Sequence, residues 1–210
     1  AHNTSKRIAE QREWGEAIKK RVWQRVVRDK IAHQSRVLLT RAREDQGELL
    51  SKIVPEVRSG DPTNREGHAA RLYFTALFGP SFSRDDDIPL NAALNYGYAI
   101  LLSAVNREIV ARGFLTQTGI CHRNEYNQFN LSCDLMEPFR PIVDRIVFDE
   151  FDGDFTKDTK LMLVDMLNQS IPYRGGSYRV ASVISLYVAD CLKALGKKLS
   201  VDEIEPFDVV

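Results

Sequence analysis

Among the histidines, His122 has the surroundings that could do chemistry. It lies in a polar stretch, and Asp134 and Glu137 follow it three residues apart from each other. On a helix that spacing puts both carboxylates on one face. A loop imidazole with carboxylates from a helix start is a donor set for a hard-to-borderline divalent ion, Mn²⁺ or Mg²⁺. Plainer roles stay open, since His122 could cap a helix or bond within a polar turn. Cys121, His122 and Cys133 supply three zinc ligands, but no fourth stands at suitable spacing and Cys133 lies in an apolar run. His2 and His33 have no acidic or thiol cluster around them. Glu66 and His68 lie about 200° apart round a helix, so they cannot serve one ligand from one face. Ser132-Cys133 offers no nucleophile elbow, and Gly175-Gly176 reads as a turn rather than a phosphate cradle.

Helices must position these groups. Ile8, Trp14, Ile18, Val22 and Val26, then Trp23, Val27 and Ile31, recur three to four apart and predict one amphipathic helix from about residue 5 to beyond 30. Val37, Leu38, Leu49, Leu50, Ile53 and Val54 extend helical sequence to Pro55. After the turn Ser59-Gly60-Asp61-Pro62, Thr63 reads as an N-cap with Glu66 at the third helical position. That helix would bury Ala70, Tyr73, Phe74 and Leu77 and stop at Gly79-Pro80. Residues 81–89 are a polar loop. Leu90 to Arg112 is the most apolar segment and the expected central helix, with Tyr96-Gly97-Tyr98 packing on it. A loop over 113–129 precedes a helix from about Leu131 to Phe151 that Pro138 and Pro141 should kink or break. Helices over about 156–169 and 177–195 flank a turn at 171–176, and an acidic tail after Gly196 should fray. No segment alternates convincingly as a strand. The fold class is all-α.

Composition sets outer limits. With 210 residues, 43% hydrophobic and 28% charged, the chain can bury a sizeable core, which excludes a disordered chain, a fibrous repeat and a disulfide scaffold. Apolar runs fall far short of the roughly 20 residues of a membrane span, and the start carries no apolar signal core. Three cysteines suit reduced thiols, so the expected compartment is the cytoplasm. Net charge is zero, yet residues 5–43 hold twelve Lys or Arg against four acids. One basic face could meet a polyanion while the whole surface could not.

Three stretches, in order over about 80 residues, resemble the helical domain of the CRISPR-associated spacer integrase. Arg65-Glu66-Gly67-His68-Ala69-Ala70-Arg71-Leu72-Tyr73-Phe74 is similar to that family's E-G-x-x-A-R-x-Y-F block. Asn91-Ala92-Ala93-Leu94-Asn95-Tyr96-Gly97-Tyr98 is similar to its N-A-x-x-x-Y-G-Y helix. Gly119, His122 and Asp134-Leu135-Met136-Glu137-Pro138-Phe139-Arg140-Pro141 resemble its G-x-x-H…D-L-x-E-P-F-R-P block. Glu137, where many relatives carry Asp, makes the type II systems the nearest likeness.

The resemblance implies catalytic metal ligands at Glu66, His122 and Glu137, with Asp134 as an auxiliary acid and Mg²⁺ or Mn²⁺ as cofactor. It implies joining of a 3′-hydroxyl of a short DNA duplex to a repeat-array phosphodiester by transesterification, with nuclease activity as the hydrolytic counterpart. On this reading residues 1–210 are one helical catalytic domain: a basic region at 1–60, a metal-site core at 61–196 and the acidic tail at 197–210. Lys19, Lys20 and Arg28 would meet DNA phosphates, and Arg65, Arg71 and Arg140 would position the scissile strand. Implied partners are double-stranded spacer-precursor DNA, CRISPR repeat DNA, a small second adaptation subunit, type II effector and accessory proteins, and a second copy in the full-length family, with no membrane. Full-length relatives carry a β-rich amino-terminal domain that is not apparent here. The alternative is a non-catalytic helical module that binds DNA or a protein through the basic helix.

Overall fold

A computed structural model describes residues 4–210, so His2 lies outside the described residues. Nine α-helices and one small hairpin make up the described chain, which is predominantly helical as the sequence predicts. Helix α1 (Thr4–Arg12) and helix α2 (Glu16–Leu39) are separate. The single amphipathic helix expected there breaks at Gly15, whose extended backbone (φ −70°, ψ 154°) ends one helix and starts the next. Then come α3 (Glu44–Ile53), α4 (Arg65–Phe78) and α5 (Pro89–Ala111). Helices α6 (Asn130–Met136) and α7 (Arg140–Glu150) are joined by a 3₁₀ turn at Glu137–Phe139, the interruption that Pro138 and Pro141 call for. Helix α8 (Lys157–Asp165), strands β1 (Ser170–Tyr173) and β2 (Gly176–Arg179), and α9 (Val180–Leu195) complete the order.

Two helices organise the rest. The central helix α5 packs against α6, α7, α8 and α9, while α2 packs against α3, α4, α7, α9 and the Glu137 turn. Pro89 opens α5 with its φ preset for a helix. A Cβ on Gly97 would come 2.4 Å from Val143 Cγ1, so the glycine permits the close approach of α5 and α7. Among the described residues no helix is long and apolar enough to cross a membrane.

The structure corrects three local expectations. Helix α4 is capped by Asn64, not Thr63: Asn64 sits in the left-handed region (φ 50°) and its side chain accepts from Gly67 N–H. Asp61 accepts the amides of Arg65 (2.8 Å) and Glu66 (3.0 Å), which puts Glu66 at the second helical position. The 171–176 turn belongs to an antiparallel hairpin, with Arg174 (φ 49°) and Gly175 (φ 71°) at its tip. The acidic tail is not frayed, because Val201, Ile204, Phe207 and Val209 are buried. Phe207 stacks on Phe139 with centroids 4.5 Å apart. Its carbonyl lies 2.8 Å from His33 Nε2, and Pro138 O lies 2.7 Å from His33 Nδ1, so the tail is tied to the turn that carries Glu137.

Candidate metal centre

Three parts of the chain meet at one ammonium, and a fourth stands within their electrostatic field. The first turn of α4 brings Glu66, the 3₁₀ turn brings Glu137, the 113–129 loop brings His122, and α2 brings Lys30. Lys30 Nζ donates to Glu66 Oε1 at 2.6 Å and to Glu137 Oε2 at 2.5 Å. On its other oxygen Glu137 faces Arg140 Nη1 at 3.2 Å. Lys30 and Glu137 are buried, and Glu66 is partly open to solvent. Burial alone pushes the Glu137 carboxyl up, but Lys30 and Arg140 outweigh it and hold the group below its ordinary range. Burial likewise pushes the Lys30 ammonium down, and the two glutamates more than restore it.

His122 is set by Asp134, which is fully buried on α6. One Asp134 oxygen accepts the amides of Ile120 (2.7 Å) and Cys121 (3.0 Å); the other accepts the His122 amide (3.1 Å) and His122 Nδ1 (2.6 Å). A carboxylate has no hydrogen to give here, so Nδ1 carries it and Nε2 is the ring nitrogen left for a ligand. That hydrogen bond first, then the Asp134, Glu137 and Glu66 charges, raise the His122 pKa against the effect of burial. Trp23 meets the imidazole edge to face at 6.0 Å. Gly119 makes the loop possible: a Cβ there would lie 2.3 Å from His122 O and 2.8 Å from Asp134 Oδ2. Asp134 is the auxiliary acid of the sequence reading, and its oxygens are spent on fixing the loop and the ring.

Among the described residues no three His, Cys, Asp or Glu side chains stand in metal-holding geometry. Lys30 bridges the two glutamates, and Cys133 Sγ faces Asn127 Nδ2 at 3.6 Å rather than joining a zinc set. The donor chemistry nonetheless fits a divalent ion. Two carboxylates are already drawn onto one cation, and an imidazole oriented by a buried carboxylate stands in the same electrostatic field. The missed residue is Lys30. Its signal was a lysine on the apolar face of α2, one turn after Val26 and two turns after Trp23.

The other basic residues divide. Arg28 Nη2 donates to Val57 O at 2.9 Å, and Arg65 pairs with Glu56 at 3.0 Å. Arg140 lies over the Tyr98 ring at 4.5 Å. Lys20 and Arg71 are exposed. Lys19 lines a polar cleft of about 360 Å³ with His122, Arg123, Asn124 and Asn130.

Residues 2–160 match the family model described as CRISPR associated protein Cas1. The CRISPR-associated endonuclease Cas1 of Neisseria meningitidis serogroup C (strain 8013) is 37% identical over 200 residues, which is 91% of this chain and 66% of that protein. The chain thus spans two thirds or less of the curated relatives it matches. In fold it is similar to a casposase bound to integration product, at TM-score 0.72 and 21% identity over 96% of this chain and 72% of the other. It is also similar to a Cas6-RT-Cas1–Cas2 complex, at TM-score 0.77 and 19% identity over 98% of this chain and 27% of the other.

Proposed function

The chain belongs to the CRISPR-associated Cas1 family, and from that premise we propose that it is the helical catalytic part of a metal-dependent DNA integrase and endonuclease of spacer acquisition. The carrying observation is that Glu66 and Glu137, from separate elements, converge on one cation, and that their charges act on an imidazole oriented by Asp134. In the proposed transesterification, the 3′-oxygen of a short duplex attacks a repeat-array phosphodiester. A new phosphodiester forms and the repeat strand's own 3′-oxygen leaves; water in place of the hydroxyl gives strand cleavage. Mn²⁺ or Mg²⁺, when bound, would activate the attacking oxygen and neutralise charge gathering on the phosphoryl oxygens.

The chain's own residues have distinct tasks in this scheme. Glu66, His122 and Glu137 would hold the ion, and Asp134 keeps the imidazole turned and its Nδ1 protonated. Arg140 guards one oxygen of Glu137 and, with Arg65 and Arg71, brings positive charge to the strand at the centre. Lys19, Lys20 and Arg28 meet duplex phosphates without regard to sequence, which suits variable spacers; the Arg28 guanidinium is steadied for this by its bond to Val57 O. The integration product on the casposase and the Cas2 subunit in the complexes favour spacer-precursor DNA, repeat DNA and a small second subunit as partners. A second copy and type II accessory proteins complete the proposed assembly.

Manganese titration by calorimetry, with and without a branched DNA, tests the reading. Wild type should bind, and Glu66→Ala and His122→Ala should lose binding and also lose strand transfer by about 100-fold or more. Near-normal transfer by either variant would overturn its assignment as a ligand. Charge reversal at Lys19 and Lys20 should weaken random-duplex binding and flatten its salt dependence. The rival module has one observation in its favour, since Lys30 and Arg140 already neutralise the glutamates. It requires that no Mn²⁺ binds under any condition.

A further inference from the structure

We propose that Lys30 is a built-in counter-ion that competes with the divalent cation, holding Glu66 and Glu137 together in the metal-free protein and yielding them when metal enters. This rests on the metal-site reading above. The geometry is specific: one buried ammonium contacts Glu66 Oε1 at 2.6 Å and Glu137 Oε2 at 2.5 Å, and among the described residues no second donor bonds that Glu137 oxygen. Arg140 takes the opposite oxygen at 3.2 Å and is stacked on Tyr98, so it can stay while Lys30 moves.

Charge counting gives the direction. Two glutamates against Lys30 and Arg140 sum to zero, so an incoming divalent ion would meet a cluster that is already neutral and a like charge within bonding distance of its own ligands. Relief comes if the ammonium withdraws on its four-carbon stem, which a lysine can do and a planar, forked arginine cannot do as readily. Lys30 is therefore a positioning residue. It keeps two mutually repelling carboxylates at one point before metal arrives, and it lowers metal affinity by the work of its own displacement.

Lys30→Met tests this, because methionine keeps most of the stem's volume and drops the charge. Mn²⁺ should bind the variant about tenfold or more tighter than wild type, by calorimetry or by the free-ion electron paramagnetic resonance signal. In EDTA the variant should melt below wild type, and Mn²⁺ should raise its melting temperature by more than it raises wild type's. A purely structural lysine predicts the reverse: looser glutamates and Mn²⁺ binding equal to or weaker than wild type, which would overturn the proposal. Should Lys30→Met not fold, the ζ-¹⁵N resonance of Lys30 in the wild-type chain carries the test. It should shift saturably with Mg²⁺, and a resonance unmoved at saturating Mg²⁺ would overturn the proposal. All titrations are run alone and with branched DNA. Binding by wild type with no gain in the variant defeats this inference only, whereas no Mn²⁺ binding by either protein defeats the metal-site reading as well.

Discussion

Glu137 and Asp144 are both buried carboxylates on either side of Arg140, and they are kept in opposite condition. Glu137 is 4% exposed and Asp144 1%, so desolvation weighs on both. Glu137 faces two cations, Lys30 at 2.5 Å and Arg140 at 3.2 Å, and its carboxyl is held below its ordinary value. Asp144 accepts from the neutral hydroxyl of Tyr98, and burial pushes it up to about 6 although Tyr98, Arg140 and Lys30 pull the other way. Burial alone does not decide what a carboxylate is for; the charge of the group that touches it does. Glu137 is kept as an anion fit to meet a cation, whereas Asp144 ties the central helix to α7.

The largest expected effect separates the two directly. Glu137→Gln keeps shape and loses charge, and strand transfer should fall about 100-fold or more. Asp144→Asn makes the same chemical change and should leave strand transfer within about threefold, since Asn can still accept from Tyr98. Equal losses in a half-site integration assay would erase the distinction between the two groups.

A second difference lies in pH. Asp144 has a folded value of about 6 against an ordinary 3.8, so the folded state binds its proton more tightly. Its stabilising contribution is present below about pH 4 and is lost as pH rises through about 6. Glu137, held low, works in the opposite sense: its contribution is present above its ordinary value and is lost as pH falls. Urea unfolding in EDTA should therefore show Asp144→Asn gaining on wild type by roughly 1–3 kcal/mol between pH 4 and 7.5. A flat difference across that range would mean that burial does not push the Asp144 carboxyl up in the folded chain.

How much of this was legible in the sequence depended on how far apart the partners are. A long apolar run located α5, turn and stop residues bracketed α4 with its buried Tyr73 and Leu77, and two prolines marked the break at Glu137, because those signals are local. The three-block resemblance supplied Glu66, His122 and Glu137 as a set. Spacing alone could not have joined Glu66 to the others. Lys30 was invisible as a site residue because its partners lie 36 and 107 residues away, and a basic helix offers many lysines to choose from. The hairpin was missed because its strands are four residues each and β2 is exposed throughout, which leaves no alternation to read. The tail looked polar by composition, while its few apolar residues, Val201, Ile204, Phe207 and Val209, are the ones that pack. Spacing offers Asp134 only as a second carboxylate on the face of Glu137, and the resemblance implies an auxiliary acid; its task in the fold follows from Gly119, whose missing side chain lets the loop amides reach it.

The smallest expected effect sharpens the contrast within Asp144's own surroundings. Tyr98→Phe removes one hydrogen bond and keeps the ring, so the guanidinium of Arg140 at 4.5 Å and that of Arg84 at 5.3 Å keep their aromatic face. The Tyr98 hydroxyl is among the groups that pull Asp144 down, and without it the carboxyl should move further up. The upper end of its stability loss should then shift toward neutral pH, while stability at pH 7.5 falls by about 1 kcal/mol. Strand transfer should be unchanged, because Arg140 still holds its oxygen of Glu137 at 3.2 Å. If Tyr98→Phe instead depressed strand transfer while stability held, the Asp144 layer would be acting through Arg140 on the metal centre, and the two carboxylates would be one system with two ends.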